Sequence, residues 1–158
     1  SDQALMDTLD IWLKPALHGK SRLDALSAAE LSEALYALYT WSDRQQIDSL
    51  APTHITVPSG QERGIAYQCG SPPVLAVKLQ ELFGLAQSPT VCNGKIVITL
   101  HLLSPAGKPL QITQDLRSFW NSTYAEVRRE MKIRYPRHPW PEDPWSAPAT
   151  HKTKPRGK

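Results

Sequence analysis

Five prolines fall between Pro136 and Pro148, in the run PRHPWPEDPW and just beyond it, and no other feature restricts the fold so firmly. Proline lacks a backbone N–H and fixes φ, so neither a helix interior nor a central strand can pass through such a stretch. Extended, polyproline-II-like backbone is expected there. The residues after it, Ala147 to Lys158, are small, polar and basic, and read as a disordered tail. A folded body must therefore be built from the residues upstream.

Those residues change period partway along. Leu5, Leu9 and Trp12 share one helical face, ending near Pro15 and Gly19. Ser27-Ala-Ala-Glu30 is a capping box, and Leu31, Leu35 and Leu38 form the stripe of the helix it opens. The two helices predict a helical hairpin. Alternating residues at 53–58 and 64–68, around Ser59-Gly60, predict a β-hairpin with Ile65 and Tyr67 on one face. Ser71-Pro-Pro73 then opens a third predicted helix, with Leu75, Leu79, Leu82 and Phe83 on its buried side and Gly84 ending it. The β-branched run Lys95–Leu103 predicts a long strand, and Leu110–Thr113 its returning partner. A last helix is expected from about Asp115 to Arg134, because Leu116, Trp120, Tyr124, Val127 and Met131 step along one face. The class is α+β: an N-terminal helical pair over residues 1–50, an α+β domain over 51–145 with a small antiparallel sheet, and a basic tail over 146–158. A helix between two β-pairs is compatible with an OB-like barrel.

Several chemistries are excluded. No run of about 18 apolar residues is available to span a bilayer. The opening SDQALMDTLD lacks the basic and apolar regions of a signal peptide. It also starts at Ser1 without an initiator Met, the expectation for a piece of a longer polypeptide. Cys69 and Cys92 are expected to be two free buried thiols. Gly19-Lys20-Ser21 imitates the end of a P-loop, but Lys14 stands where the pattern needs its first glycine. The five histidines are scattered, without metal-ligand spacing, and no nucleophile elbow occurs. No catalytic residue and no cofactor is assigned to this chain.

Charge points elsewhere. Residues 1–127 carry nine Lys and Arg against twelve carboxylates, a net −3, whereas residues 128–158 carry nine against three, a net +6. The basic end holds two clusters. Arg128, Arg129, Lys132, Arg134 and Arg137 gather where the last helix meets the proline segment, and Lys152, Lys154, Arg156 and Lys158 lie in the tail. Tyr135, Trp140 and Trp145 are interleaved with the charge. Cations that track phosphates, together with aromatic faces that stack bases, are the pattern of single-strand binding. The alternatives are a solvated helix face paired with Glu126 and Glu130, and a Trp140 folded back onto the domain.

Three blocks carry a resemblance: Pro72–Gly84, Leu102–Leu116 and Phe119–Pro144, the last ending in Arg134-Tyr-Pro-Arg-His-Pro-Trp-Pro-Glu-Asp-Pro144. Together they resemble the C-terminal region of bacterial HrpB-type helicases of the DEAH/RHA class, over roughly Leu9 to Pro144. The resemblance implies a cytoplasmic parent with two RecA-like motor domains upstream, using ATP and Mg²⁺ to move along RNA or single-stranded nucleic acid. The implied partners are that nucleic acid and the motor domains of the same polypeptide, with no membrane. No motor residue can be carried onto this chain. Two roles follow as expectations: single-strand contact through the basic end, or a scaffold that docks on the motor or recruits a protein.

Overall fold

The computed structural model describes residues 2–153. The chain divides into two compact units, Ser1–Ser49 and Leu50–Lys158.

The first unit is helical: α1 (Asp2–Asp7), α2 (Leu9–Ala16), α3 (Ala28–Tyr36) and most of α4 (Trp41–Leu50). The helix expected to run unbroken through Leu5, Leu9 and Trp12 is interrupted at Thr8, whose backbone leaves the helical region at φ −116°, ψ 18°. Pro15 does not end α2 but sits in its last turn, and Gly19 follows with φ +76°. The capping box forms as expected, with Glu30 N–H donating to Ser27 Oγ and Ser27 N–H donating back to Glu30. Thr40 and Asp43 make the same reciprocal arrangement ahead of α4, giving four helices where two were expected.

The second unit holds a five-stranded sheet in the order β1-β2-β3-β6-β7. Its strands are β1 (His54–Thr56), β2 (Glu62–Ala66), β3 (Val74–Lys78), β6 (Thr99–Leu103) and β7 (Pro109–Thr113). The hairpin β1–β2 forms as expected, although Tyr67 lies beyond it, exposed, with its hydroxyl donating to Pro52 O. The third helix does not form. Residues 74–78 are strand β3, and only Leu79–Glu81 makes a short 3-10 turn. Leu75, Val77 and Leu79 satisfy a period of two as well as Leu75, Leu79 and Leu82 satisfy the helical one. Parallel pairing of β3 with β6, from Val74↔Thr99 to Lys78↔Leu103, decides between them. The sheet is thus mixed, and no closure of β7 onto β1 into a barrel is seen among the described residues.

The long strand expected from Lys95 is also divided. β5 (Ile96–Val97) pairs with β4 (Thr90–Val91), while β6 joins the main sheet. The exchange happens at buried Ile98, whose N–H donates to Pro89 O, whereas the N–H of Thr99 donates to Pro73 O. The last helix breaks at Thr123 into α5 (Leu116–Ser122) and α6 (Tyr124–Arg134), yet its apolar face is kept. Leu116, Trp120, Tyr124 and Met131 are buried, with Val127 packed beside them.

The proline run is a strap laid across this core. Trp140 is buried, Gly84 N–H donates to Pro144 O at 2.9 Å, and Thr150 N–H donates to Gln80 O at 3.0 Å. Gly84 takes φ +81°, a conformation that favours glycine, whereas a Cβ there would meet Ala147 O at an ordinary contact distance of 3.5 Å. Ala147 and Ala149 pack on the core, so the start of the expected disordered tail at residue 146 is corrected: the chain is held at least to Thr150. Cys92 is half-buried and Cys69 exposed, both as free thiols, so the expectation of two buried thiols fails for Cys69.

Candidate nucleic-acid interface

The structure sorts the cations at the end of α6 into two groups. Arg128 is structural. Its Nε donates to Trp140 O at 3.0 Å and its Nη2 pairs with Glu142 at 2.9 Å, leaving the side chain 19% exposed. It ties α6 to the strap, alongside the Tyr124 hydroxyl, which donates to Pro141 O at 2.8 Å. Burial pushes the Tyr124 phenol well above its ordinary range, so this donor keeps its proton. Arg129, Lys132, Arg134 and Arg137 are all exposed. Among them Arg134 makes a surface pair with Glu130 at 3.2 Å. Such a pair is worth only about 0.3–0.5 kcal/mol, so it does not withhold Arg134 from a phosphate.

The aromatic residues divide in the same way. Trp140 was a candidate stacking platform, but it is 6% exposed and its Nε1 donates to Tyr135 O at 2.9 Å. A ring enclosed in this way cannot receive a base, so Trp140 belongs to the core. Trp145 is half-buried against the same cluster. Tyr135 is partly exposed and makes an edge contact with His138, the ring centroids 6.2 Å apart. In the tail, Lys152 is exposed, while Lys154, Arg156 and Lys158 lie outside the described residues.

Sequence reasoning missed His138 and Lys78. The imidazole of His138 has a buried Nδ1 without a hydrogen-bond partner. Burial, then Lys78 and Arg137, lower its pKa and favour the neutral ring. The signal was present: His138 follows Arg137 directly inside the proline run. Reading it only as one of five scattered histidines concealed it.

The P-loop look-alike is accounted for. Lys20 Nζ donates to Glu30 at 2.8 Å and to Ala25 O at 2.9 Å. Lys20, and then the Ser27 backbone, hold the Glu30 carboxyl down at about 2. A lysine so engaged joins helices, and the stretch before it is helix α2 rather than the strand a phosphate loop requires. A clean preparation of this chain is therefore expected not to turn over ATP. Turnover abolished by Lys20→Ala would contradict this assignment. Among the described residues no group of three metal-ligating side chains occurs, and no helix is long and apolar enough to cross a membrane.

Comparison with known proteins is consistent with this architecture. Residues 12–144 match the family described as ATP-dependent helicase C-terminal. The chain is 45% identical over 153 residues to the ATP-dependent RNA helicase HrpB of Escherichia coli strain K12, covering 97% of this chain and 19% of that protein. The crystal structure of the E. coli DExH-box NTPase HrpB superposes with a TM-score of 0.88 at 44% identity, over 97% of this chain and 19% of that one. A crystal structure of the E. coli DEAH/RHA helicase HrpB gives 0.70 at 43%, over 89% and 18%. The chain spans about a fifth of the length of these relatives. With its fold shared and its sequence matched over residues 12–144, the chain belongs to the ATP-dependent helicase C-terminal family of HrpB proteins.

Proposed function

We propose that this chain serves a longer, ATP-dependent helicase polypeptide as a non-catalytic accessory module that contacts single-stranded nucleic acid, RNA in the first place. The relative named an RNA helicase supports the choice of RNA. ATP and Mg²⁺ belong, on this proposal, to motor domains elsewhere in the polypeptide. The observation that carries it is that Arg129, Lys132, Arg134 and Arg137 are all exposed where α6 runs into the strap, to which the helix is fixed by the Arg128 and Tyr124 bonds. Cations carried on a fixed backbone give up less conformational freedom on meeting phosphates than cations on a mobile segment.

The test is binding of labelled single-stranded RNA to the chain at low salt. Arg129→Ala with Lys132→Ala is expected to weaken binding by a similar factor for uridine-rich and adenosine-rich strands, because phosphate contacts carry no base information. Arg128→Ala is expected to act differently, lowering thermal stability more than affinity, since its bonds go to Trp140 O and Glu142. Loss of affinity in Arg128→Ala alone, with the Arg129 and Lys132 changes silent, would overturn the assignment.

A docking role has its own observation. In the first unit Ala34 is the only buried apolar residue among those described, while Met6, Ile11, Leu23, Trp41 and other large apolar side chains are exposed, Trp41 at 73%. An apolar groove of about 500 Å³ lies between α2 and α3, lined by Ile11, Trp12, Pro15, Ala34 and Leu38 among others. Exposed apolar surface of this kind marks interaction sites. We infer that this unit anchors the module on other domains of the same polypeptide while the second unit offers its basic face.

A further inference from the structure

Where α6 passes into the strap, Arg134, Tyr135, Pro136, Arg137, His138 and Thr153 line a cavity of about 290 Å³. Three properties set it apart from the open basic face. Its lining holds two guanidinium groups and no carboxylate. Its backbone is fixed: Tyr135 N–H donates to Met131 O at 2.7 Å, His138 N–H donates to Tyr135 O at 3.1 Å, and Tyr135 O also accepts from Trp140 Nε1. Finally, His138 lines the cavity with an imidazole whose enclosed Nδ1 has no protein partner, so the protein does not use up the hydrogen-bonding capacity of the ring.

We propose that this cavity is a subsite for one nucleotide of the bound strand, with the phosphate between Arg134 and Arg137 and a base or ribose group hydrogen-bonded to His138. This rests on the nucleic-acid reading above. Its volume lies at the small end of ligand pockets, which suits one nucleotide rather than a longer stretch. A phosphate alone would be served by the arginines. A neutral imidazole adds a hydrogen-bond donor and an acceptor instead of charge, which fits a polar, uncharged group next to that phosphate. Lys78, close enough to act on His138, stands as a further cation beside the site. Thus the subsite differs from the Arg129 and Lys132 face in responding to what the nucleotide carries besides its phosphate.

The experiment uses the full chain with ¹⁵N-labelled histidine and, as probe, a single-stranded oligouridine of about 12 nucleotides, within the site sizes usual for single strands. The expected result is that the probe moves the His138 ring nitrogen signals, and that Arg137→Ala and His138→Gln each weaken binding by about tenfold. The ring signals of the unsubstituted chain keep the test valid even if a variant is poorly folded. Binding of the probe with unmoved His138 signals and undiminished affinity in both variants would overturn the subsite while leaving the basic face standing. Movement of the same signals by inorganic phosphate alone, with an abasic strand bound as tightly as oligouridine, would reduce the cavity to an anion site and overturn the nucleotide assignment. Absence of any probe binding at low salt would overturn the nucleic-acid reading itself, and the subsite with it.

Discussion

Trp120→Ala is expected to destabilise the Leu50–Lys158 unit by about 3–5 kcal/mol, the usual cost of removing a buried tryptophan. Trp120 is 5% exposed and lies at the centre of an aromatic group, with ring centroids 6.1 Å from Phe83 and 5.2 Å from both Phe119 and Tyr124. Its Nε1 donates to Leu85 O at 2.8 Å, so the substitution opens a cavity and also leaves a carbonyl without its donor. Domains of this size are stable by only about 5–15 kcal/mol, so the loss takes a large share of the total. Urea denaturation followed by far-UV circular dichroism measures it. A midpoint unchanged from the parent chain would show that the α5–α6 face is packed otherwise than described.

Arg63→Ala should have the second largest effect, at about 3 kcal/mol. Glu81 is completely buried, and Arg63 reaches it from β2 through two bonds of 2.8 Å, Nε to Oε2 and Nη2 to Oε1. Removing the arginine leaves a carboxylate inside the protein, and breaking a buried pair from one side typically costs about 3–5 kcal/mol. The lower end applies because the Arg63 side chain is 33% exposed, so water can reach part of the vacated space. Adding Glu81→Leu to Arg63→Ala is expected to recover much of the loss, since an apolar pair need not be desolvated. Equal urea midpoints for the parent and Arg63→Ala would contradict the pairing; a double variant weaker than the single one would show that the carboxylate has another essential partner.

What the sequence disclosed depended on how local the deciding interaction was. The capping box at Ser27 and Glu30 and the hairpin around Ser59-Gly60 are set within a few residues, and both were legible. So was the buried face of α5 and α6, because five apolar positions agree on one side even across the break at Thr123. β3 was not, because its leucines and valines fit two periods and the choice is made by pairing with β6, more than twenty residues away. The hairpin β4–β5 could have been found, since Asn93-Gly94 between short apolar runs is a strong turn signal: Asn93 takes φ +56° and Gly94 φ +83°. The site followed the same rule. Charge alone located the basic end, but only the folded strap shows that Arg128 is bound to Trp140 O and Glu142 and that Trp140 is enclosed. Burial of Glu81 was likewise hidden, because its partner Arg63 comes from a different strand.

Whether the cations of α6 and the strap meet phosphates is tested most directly by titrating salt against single-stranded RNA binding to the full chain. Each neutralised phosphate of a single strand contributes about −0.7 to the slope of log affinity against log salt. Arg129, Lys132, Arg134 and Arg137 together should therefore give a slope of about −2.8 or steeper, and Arg129→Ala with Lys132→Ala should flatten it by about 1.4. A flat slope, or a steep one that the two substitutions leave unchanged, would contradict the account.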